Sequence, residues 1–324
     1  MNITRQPLLV AFPTLLLLLA AMLVRKQGLS FAPESFVAVE TLPEVWVTAF
    51  QLRFPRLAWS LWLLLHAAAA LTLGRMGLRH SLYTGNTLLA IPLYGMVACG
   101  IFLDNHFLLG ALSAFLLTRA MRNFCVSYRN GYAFSSLFRG ALYLGILPTL
   151  YAPALPLLLL LPLVTILFKR TLREWIVLLC GALFPMGALC YLHWAITGQG
   201  GVPLQQMVAC YTFPDHLRLF DGASPLLIAQ LVVLLAATLC ALFYYLSDIY
   251  AATSKARAIL MLHAWMLLLA LLSMWMPSAT TNGFVLLAIP VAIFLPFLFV
   301  RLKRPLANGL YALLILLTLL RLFL

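Results

Sequence analysis

The chain has 324 residues, of which 64% are hydrophobic and only 9% charged, and it carries a formal net charge of +13. A mean hydropathy of +1.03 excludes an ordinary soluble domain. The positive charge does not mark a nucleic-acid reader, which needs a basic face with polar or aromatic partners on a soluble surface. Here Lys and Arg fall in small clusters between apolar runs, where they set membrane orientation.

A spanning helix needs about 20 mostly apolar residues. Eleven runs approach that length: 8–24, 57–74, 81–101, 105–121, 135–150, 153–168, 174–196, 224–247, 257–276, 283–300 and 307–323. They predict an all-α polytopic transmembrane bundle of about eleven spans, formed as one membrane domain over residues 1–324 without internal repeats. The first run is followed by Arg25-Lys26-Gln27 rather than a small-residue cleavage site, so it reads as a span and not a signal peptide.

The first large loop, 25–56, is only half polar. Thr41-Leu42-Pro43-Glu44 has the pattern of a helix start, with Thr41 as N-cap, Pro43 at the first position and Glu44 in the first turn. Trp46, Phe50 and Phe54 follow at helical spacing and predict a short amphipathic helix lying in the membrane interface, which Pro55 ends. Asp104-Asn105-His106 separates two closely spaced spans. Asp or Asn ahead of an apolar run is an expected N-cap. A carboxylate at the membrane boundary can also act as a general base or bind a divalent cation.

The loop at 122–134 carries Arg122, Tyr128, Arg129, Tyr132 and an Asn130-Gly131 turn, which suits a headgroup-level anchor. Glu174 lies beside Arg170 and Arg173 and reads as an ion pair. The loop at 197–223 opens with Gly198, Gly200 and Gly201 and carries Gln205, Gln206, Tyr211, Asp215, His216, Arg218 and Asp221. Loops of that length are uncommon unless functional or disordered. His216 and Arg218 are able to hold a phosphate, although adjacent Asp215 also allows a local ion pair.

With the N-terminus cytoplasmic, the inner loops hold Arg5, Arg75, Arg79, Arg119, Arg122, Arg129, Arg139, Lys169, Arg170, Arg173, Lys255, Arg257, Arg301, Lys303 and Arg304. The outer loops hold Arg25, Lys26, Arg53, Arg56, Arg218 and Arg321. That bias of fifteen against six predicts a cytoplasmic N-terminus and an external C-terminus. Glu34, Glu40, Glu44, Asp104, Asp215 and Asp221 then collect outside, and Glu174 and Asp248 inside. The six cysteines show no Cys-x-x-Cys spacing and the six histidines no ligand pattern, so neither a disulfide framework nor a metal-centred oxidase is indicated. His66 and His193 read as helix-packing hydrogen bonders. Walker, dinucleotide and nucleophile-elbow motifs are absent from the sequence.

The stretch Ile101-Phe-Leu-Asp-Asn-His-Phe-Leu-Leu-Gly-Ala-Leu-Ser-Ala-Phe-Leu-Leu-Thr-Arg119 resembles the third-to-fourth-span junction of an uncharacterised bacterial polytopic inner-membrane family whose members often carry the label beta-carotene monooxygenase. The likeness runs on through the fifth to seventh spans, including the Lys169–Trp175 turn, and covers about half the chain. The same junction, an acid before a helix ending in Arg, also resembles GT-C-fold polyprenyl-phosphate-sugar glycosyltransferases. That resemblance implies a bacterial inner-membrane protein and a first outer loop with interfacial helices and a catalytic acid, for which Glu34 or Glu40 stands. It implies a second acid in the next outer loop, at Asp104, and a later loop that helps hold the lipid phosphate, at His216 and Arg218. A polyprenyl-phosphate sugar would be the substrate, with a divalent cation as the one cofactor the acids could take. The chain departs from the pattern at Pro277-Ser-Ala-Thr-Thr-Asn-Gly283, where such enzymes commonly place a cation, and in its short first loop.

Two functions of different class follow as expectations. One is transfer of a sugar from the lipid donor to an acceptor on the outer side. The other is a non-enzymatic scaffold of an envelope secretion or export complex, with a degenerate GT-C-like fold. Membrane lipids are partners in both, and an envelope protein in the second. A transporter fits less well, because the spans carry almost no charge.

Overall fold

The computed structural model describes Thr14 and residues 41–83, 87–101, 107–128, 131–212, 225–247, 249–250, 252–276, 278–280 and 283–323. Among these there is no strand. The chain runs through α1 (Leu42–Arg53), α2 (Pro55–Arg79), α3 (Ala90–Ile101), α4 (Phe107–Ser127), α5 (Phe134–Leu150), a 3₁₀ stretch (Ala152–Leu159) continuing into α6 (Leu160–Leu167), α7 (Leu172–Thr197), α8 (Val202–Thr212), α9 (Pro225–Ser247), α10 (Ser254–Ser273), α11 (Phe284–Arg301) and α12 (Arg304–Phe323). Five of these helices, α2, α7, α9, α10 and α11, are long and apolar enough to cross a membrane. Shorter apolar helices occur at Phe134–Leu150, Ala152–Leu167 and Arg304–Leu320. The expected first span, 8–24, lies outside the described residues apart from Thr14.

Two expected boundaries move. Among the described residues, the run beginning at residue 81 becomes helical only at Ala90. Helix α2 instead continues to Arg79 and closes in a turn where Leu82 N donates to the Gly77 carbonyl and Ser81 takes a left-handed φ of 47°. Helix α4 runs past Arg122 to Ser127, shortening the expected 122–134 loop. Leu117, Ala120, Met121, Phe124 and Cys125 repeat at i, i+3, i+4 spacing and are all fully buried, so tertiary packing carries the helix beyond its apolar stretch.

Helix α11 is the axis of the bundle. It is apolar on every side and 78% of its spanning window is buried, whereas the figure for α7 is 17%. Pro290 and Pro296 lie within it, tolerated because neighbouring helices surround it. Helices α4, α5 and α7 pack in sequence through small residues: Gly140 sits against Phe124, Gly145 against the Ala182 backbone, and Gly181 against the Phe138 carbonyl. Without a hydrophobic drive between helices in lipid, this close approach is what brings dispersion contacts and holds the pair.

The turns sort to two ends. At the basic end, Arg170 Nη1 donates to the Gly131 carbonyl at 3.0 Å, Tyr128 packs edge-on against Phe168, and Lys255 is close enough to Cys125 to act on it electrostatically. The opposite, loop-bearing end gathers α1, α8 and the turns after α5 and α10. On α1 the usual burial is inverted. Gln51 is buried while Val45, Trp46, Phe50 and Leu52 are exposed, which is the pattern of a helix whose outer face meets lipid rather than water.

Candidate functional site

The site is built at the loop-bearing end, where the first loop meets the rest of the bundle. Thr41 and Glu44 form a capping box: Glu44 N donates to Thr41 Oγ1 and Thr41 N to Glu44 Oε2, each at 3.4 Å. Thr41 Oγ1 also donates to the Leu150 carbonyl at 3.3 Å, pinning the start of α1 to the end of α5. At its other end α1 is held by the head of α4. Leu108 N donates to Gln51 Oε1 at 3.2 Å, and Trp59 on α2 stacks on Phe107 with ring centroids 4.2 Å apart. A buried helix N-terminus needs acceptors for its orphan N–H groups, and Gln51 supplies one.

Behind α1 lies a tyrosine clasp. Tyr151, between α5 and the 3₁₀ stretch, accepts from Thr280 N at 3.1 Å and donates to the Thr280 carbonyl at 3.3 Å. Gly283 approaches the same hydroxyl so closely that a Cβ there would lie 3.1 Å from it. The Tyr211 hydroxyl on α8 donates to the Ala152 carbonyl. The stretch after α10 thus spends Thr280 on holding Tyr151.

Burial pushes the Tyr151 phenol up to about 12, against the hydrogen bonds from Thr280 that pull it down, and the Glu44 charge adds to the rise. Burial likewise raises Tyr211. Cys210 is pushed up to about 11, first by burial and then by Glu44. All three are neutral at physiological pH, so they serve as hydrogen-bonding and packing groups rather than nucleophiles. A protein retaining Cys210 as its sole cysteine is expected to react with maleimide slowly at pH 7. Because the thiol is neutral below its raised pKa, the rate should climb about tenfold per pH unit towards that pKa. Glu44→Gln should shift the profile to lower pH, and a flat rate between pH 7 and 10 would contradict this assignment.

Asp104, Glu34, Glu40, His216 and Arg218 lie outside the described residues, as does Asp248. The described residues that flank Glu40, Asp104 and the 213–224 stretch lie at this end. Glu40 precedes Thr41, Asp104 is three residues before Phe107, and His216 and Arg218 fall between Thr212 and Pro225. Glu44 is accounted for by its cap, as the sequence implies. Glu174 pairs with Arg170 at 3.1 Å and, in addition, accepts from Ala133 N at 3.0 Å and closes a capping box with Thr171.

Among the histidines, His66 is buried between the rings of Trp62 and Tyr94, each 5.0 Å away, as a packing residue. His193 differs from expectation. It is half-buried and bonds Thr197 and the Gln199 carbonyl, securing the end of its own helix rather than a neighbour. Two polar features escaped sequence reading. His263 is fully buried with Nδ1 donating to the Ile259 carbonyl at 2.8 Å, and Gln230 reaches Thr318, which contacts the Met96 carbonyl. Neither forms a spacing pattern along the chain, because the partners lie on helices distant in sequence. Among the described residues no group of three His, Cys, Asp or Glu side chains is placed to hold a metal ion.

Among the described residues the chain is all-helical, and five of its helices have the length and apolarity of membrane spans. Comparison with protein-family models, curated proteins and solved structures found no match in any of the three.

Proposed function

We propose that the chain is a GT-C-like enzyme of the bacterial inner membrane that moves a sugar from a polyprenyl-phosphate donor to an acceptor on the outer side. The observation that carries this reading is the docking of the first-loop helix onto the head of α4 through Gln51 and Leu108. It ties the loop that holds Glu34 and Glu40 to the junction that holds Asp104. Tyr211 ties the loop that holds His216 and Arg218 to the same end.

In the reaction, Asp104 or Glu34 takes the proton from the acceptor hydroxyl as its oxygen bonds to the sugar's anomeric carbon, with Glu40 the other first-loop carboxylate. The bond from that carbon to the lipid phosphate breaks, and polyprenyl phosphate leaves. His216 and Arg218 stabilise the negative charge that builds on it. The acids also suit a divalent cation on the donor phosphate. Thr41 and Gln51 stand ten positions apart on one helix, about 15 Å, so the first-loop acids and Asp104 need not share one task.

A scaffold of an envelope secretion or export complex is the second reading, favoured by the use of Glu44 in a cap and by the exposed apolar face of α7, which carries Leu183, Phe184 and Trp194. Native mass spectrometry of the detergent-purified protein separates them. The enzyme reading expects a retained polyprenyl-phosphate lipid, lost about tenfold in Arg218→Ala, as befits one charge-assisted phosphate contact. Retention of ordinary phospholipid alone, unchanged by Arg218→Ala and Asp104→Asn, would leave the scaffold.

A further inference from the structure

At the basic end, the turn between α6 and α7 meets the segment that leads into α5. Arg170 Nη1 donates to the Gly131 carbonyl at 3.0 Å and pairs with Glu174 at 3.1 Å, while Ala133 N donates to Glu174 Oε1 at 3.0 Å. These contacts join residues 131–134 to residues 169–174 as one corner of the bundle, and they use Arg170 and Glu174 inside it. Lys169 and Arg173 remain on its surface, both exposed. So do two rings: Tyr132 and Phe134 are exposed and stack nearly parallel, with centroids 5.2 Å apart. Ile166 and Leu172, three residues to either side of Lys169, are 69% and 76% exposed.

Lys169 occupies a position that glycine ordinarily fills. Helix α6 ends in a Schellman motif, in which Arg170 N donates to the Thr165 carbonyl at 2.8 Å and Lys169 N to the Ile166 carbonyl at 3.3 Å. The motif needs a left-handed residue, and Lys169 takes a φ of 51°. A side chain with a Cβ is strained there, and the facing turn takes its own positive φ, 105°, with Gly131. Closing the helix therefore does not call for a lysine. Strained residues of this kind persist where the surrounding structure holds them, and they cluster at functional positions. What lysine adds over glycine is a long stem carrying an ammonium group at the surface of the corner.

We infer that this corner is a docking surface for the phosphate of an anionic phospholipid headgroup, with Lys169 and Arg173 as its cations and the Tyr132–Phe134 stack beside them. The exposed apolar side chains decide the class of partner. Aromatic rings settle at the membrane–water boundary, and Lys and Arg stems lie along the acyl edge while their charges reach the phosphates. Ile166 and Leu172 enter the acyl edge as the two cations meet phosphate, an arrangement of apolar and charged groups that a soluble polyanion does not match. The inference is independent of the transferase reading, which rests on the loop-bearing end.

The test uses the delipidated full-length protein in detergent, with phosphatidylglycerol, phosphatidylcholine and a soluble poly-glutamate peptide as probes. Native mass spectrometry is expected to show phosphatidylglycerol retained over phosphatidylcholine. Lys169→Gly and Arg173→Gln should each reduce it about fivefold, the worth of one basic residue near an anionic headgroup surface. Lys169→Gly is the decisive variant. Glycine suits the left-handed position, so the thermal midpoint of the lipid-free protein should hold or rise, and lost binding cannot then come from lost folding. Lys303→Gln is the control for charge alone and should bind like the unaltered protein. Lys303 is exposed at the turn between α11 and α12, and α12 packs chiefly on α3 and α9. The inference is overturned if Lys169→Gly and Arg173→Gln both bind like the unaltered protein, if Lys303→Gln loses as much lipid as Lys169→Gly, or if phosphatidylcholine is retained equally. Poly-glutamate retained as strongly as phosphatidylglycerol would place an acidic protein at this corner and overturn it as well.

Discussion

Gly145→Leu is expected to be the most damaging single substitution in the bundle, lowering stability by about 3 kcal/mol or preventing α5 and α7 from closing. Even a Cβ at this position would overlap the Ala182 carbonyl oxygen and lie 2.9 Å from Ala182 C and Cα. Those are backbone atoms of a 26-residue helix, which cannot rotate aside as a side chain would. The helices must move apart, and every contact along the crossing is lost with them, including the approach of Gly181 to Phe138. Gly187→Ala and Gly309→Ala are the controls. A Cβ at either meets nothing within 4 Å, so these changes should be neutral or stabilise by about 0.5–1 kcal/mol through helix propensity. Thermal unfolding in detergent checks all three. Equal midpoints for Gly145→Leu and Gly187→Ala would show that the tight crossing does not hold the pair.

The second large effect belongs to the basic end. Glu174→Ala should cost about 3 kcal/mol, because the carboxylate is only 2% exposed and satisfies several donors at once. It pairs with Arg170, accepts from Ala133 N, and completes the Thr171 capping box, so it joins the start of α5, the α6–α7 turn and the first turn of α7. Removing it leaves the part-buried Ala133 N–H unpaired and takes its counter-charge from Arg170, a larger penalty than loss of a surface pair. Arg173→Ala, at an exposed position on the same helix, should change stability by less than about 0.5 kcal/mol. A double-mutant cycle on Arg170 and Glu174 measures the coupling, and strict additivity would reduce the pair to a surface ornament of the turn.

These two cases show why parts of the molecule could be read along the chain and others could not. The start of α1 was legible because Thr41, Pro43 and Glu44 act within one helical turn, where sequence spacing is spatial spacing. Pro55 was legible for the same reason, since it lies between α1 and α2 and opens the second helix. The Arg170–Glu174 pair is an i, i+4 contact and was equally local. The Ala133 contact to Glu174 spans 41 residues, and no local pattern announces it.

Membership of the membrane was decided by composition alone, because the free energy of burying roughly 20 apolar residues in lipid depends on what they are and hardly on their neighbours. The sites required the fold. Glu44 is bound in a cap by a partner three residues away, whereas the end of the bundle it helps build is defined by Leu150, Tyr151, Tyr211 and Thr280, drawn from three separate stretches of chain. A cavity at the basic end joins residues from 81 to 301, drawn from α9, α10, α11 and the turns beside them. A residue's hydrophobicity and its i, i+3 and i, i+4 neighbours are properties of sequence; which polar atom is left unsatisfied when helices pack is a property of tertiary structure only.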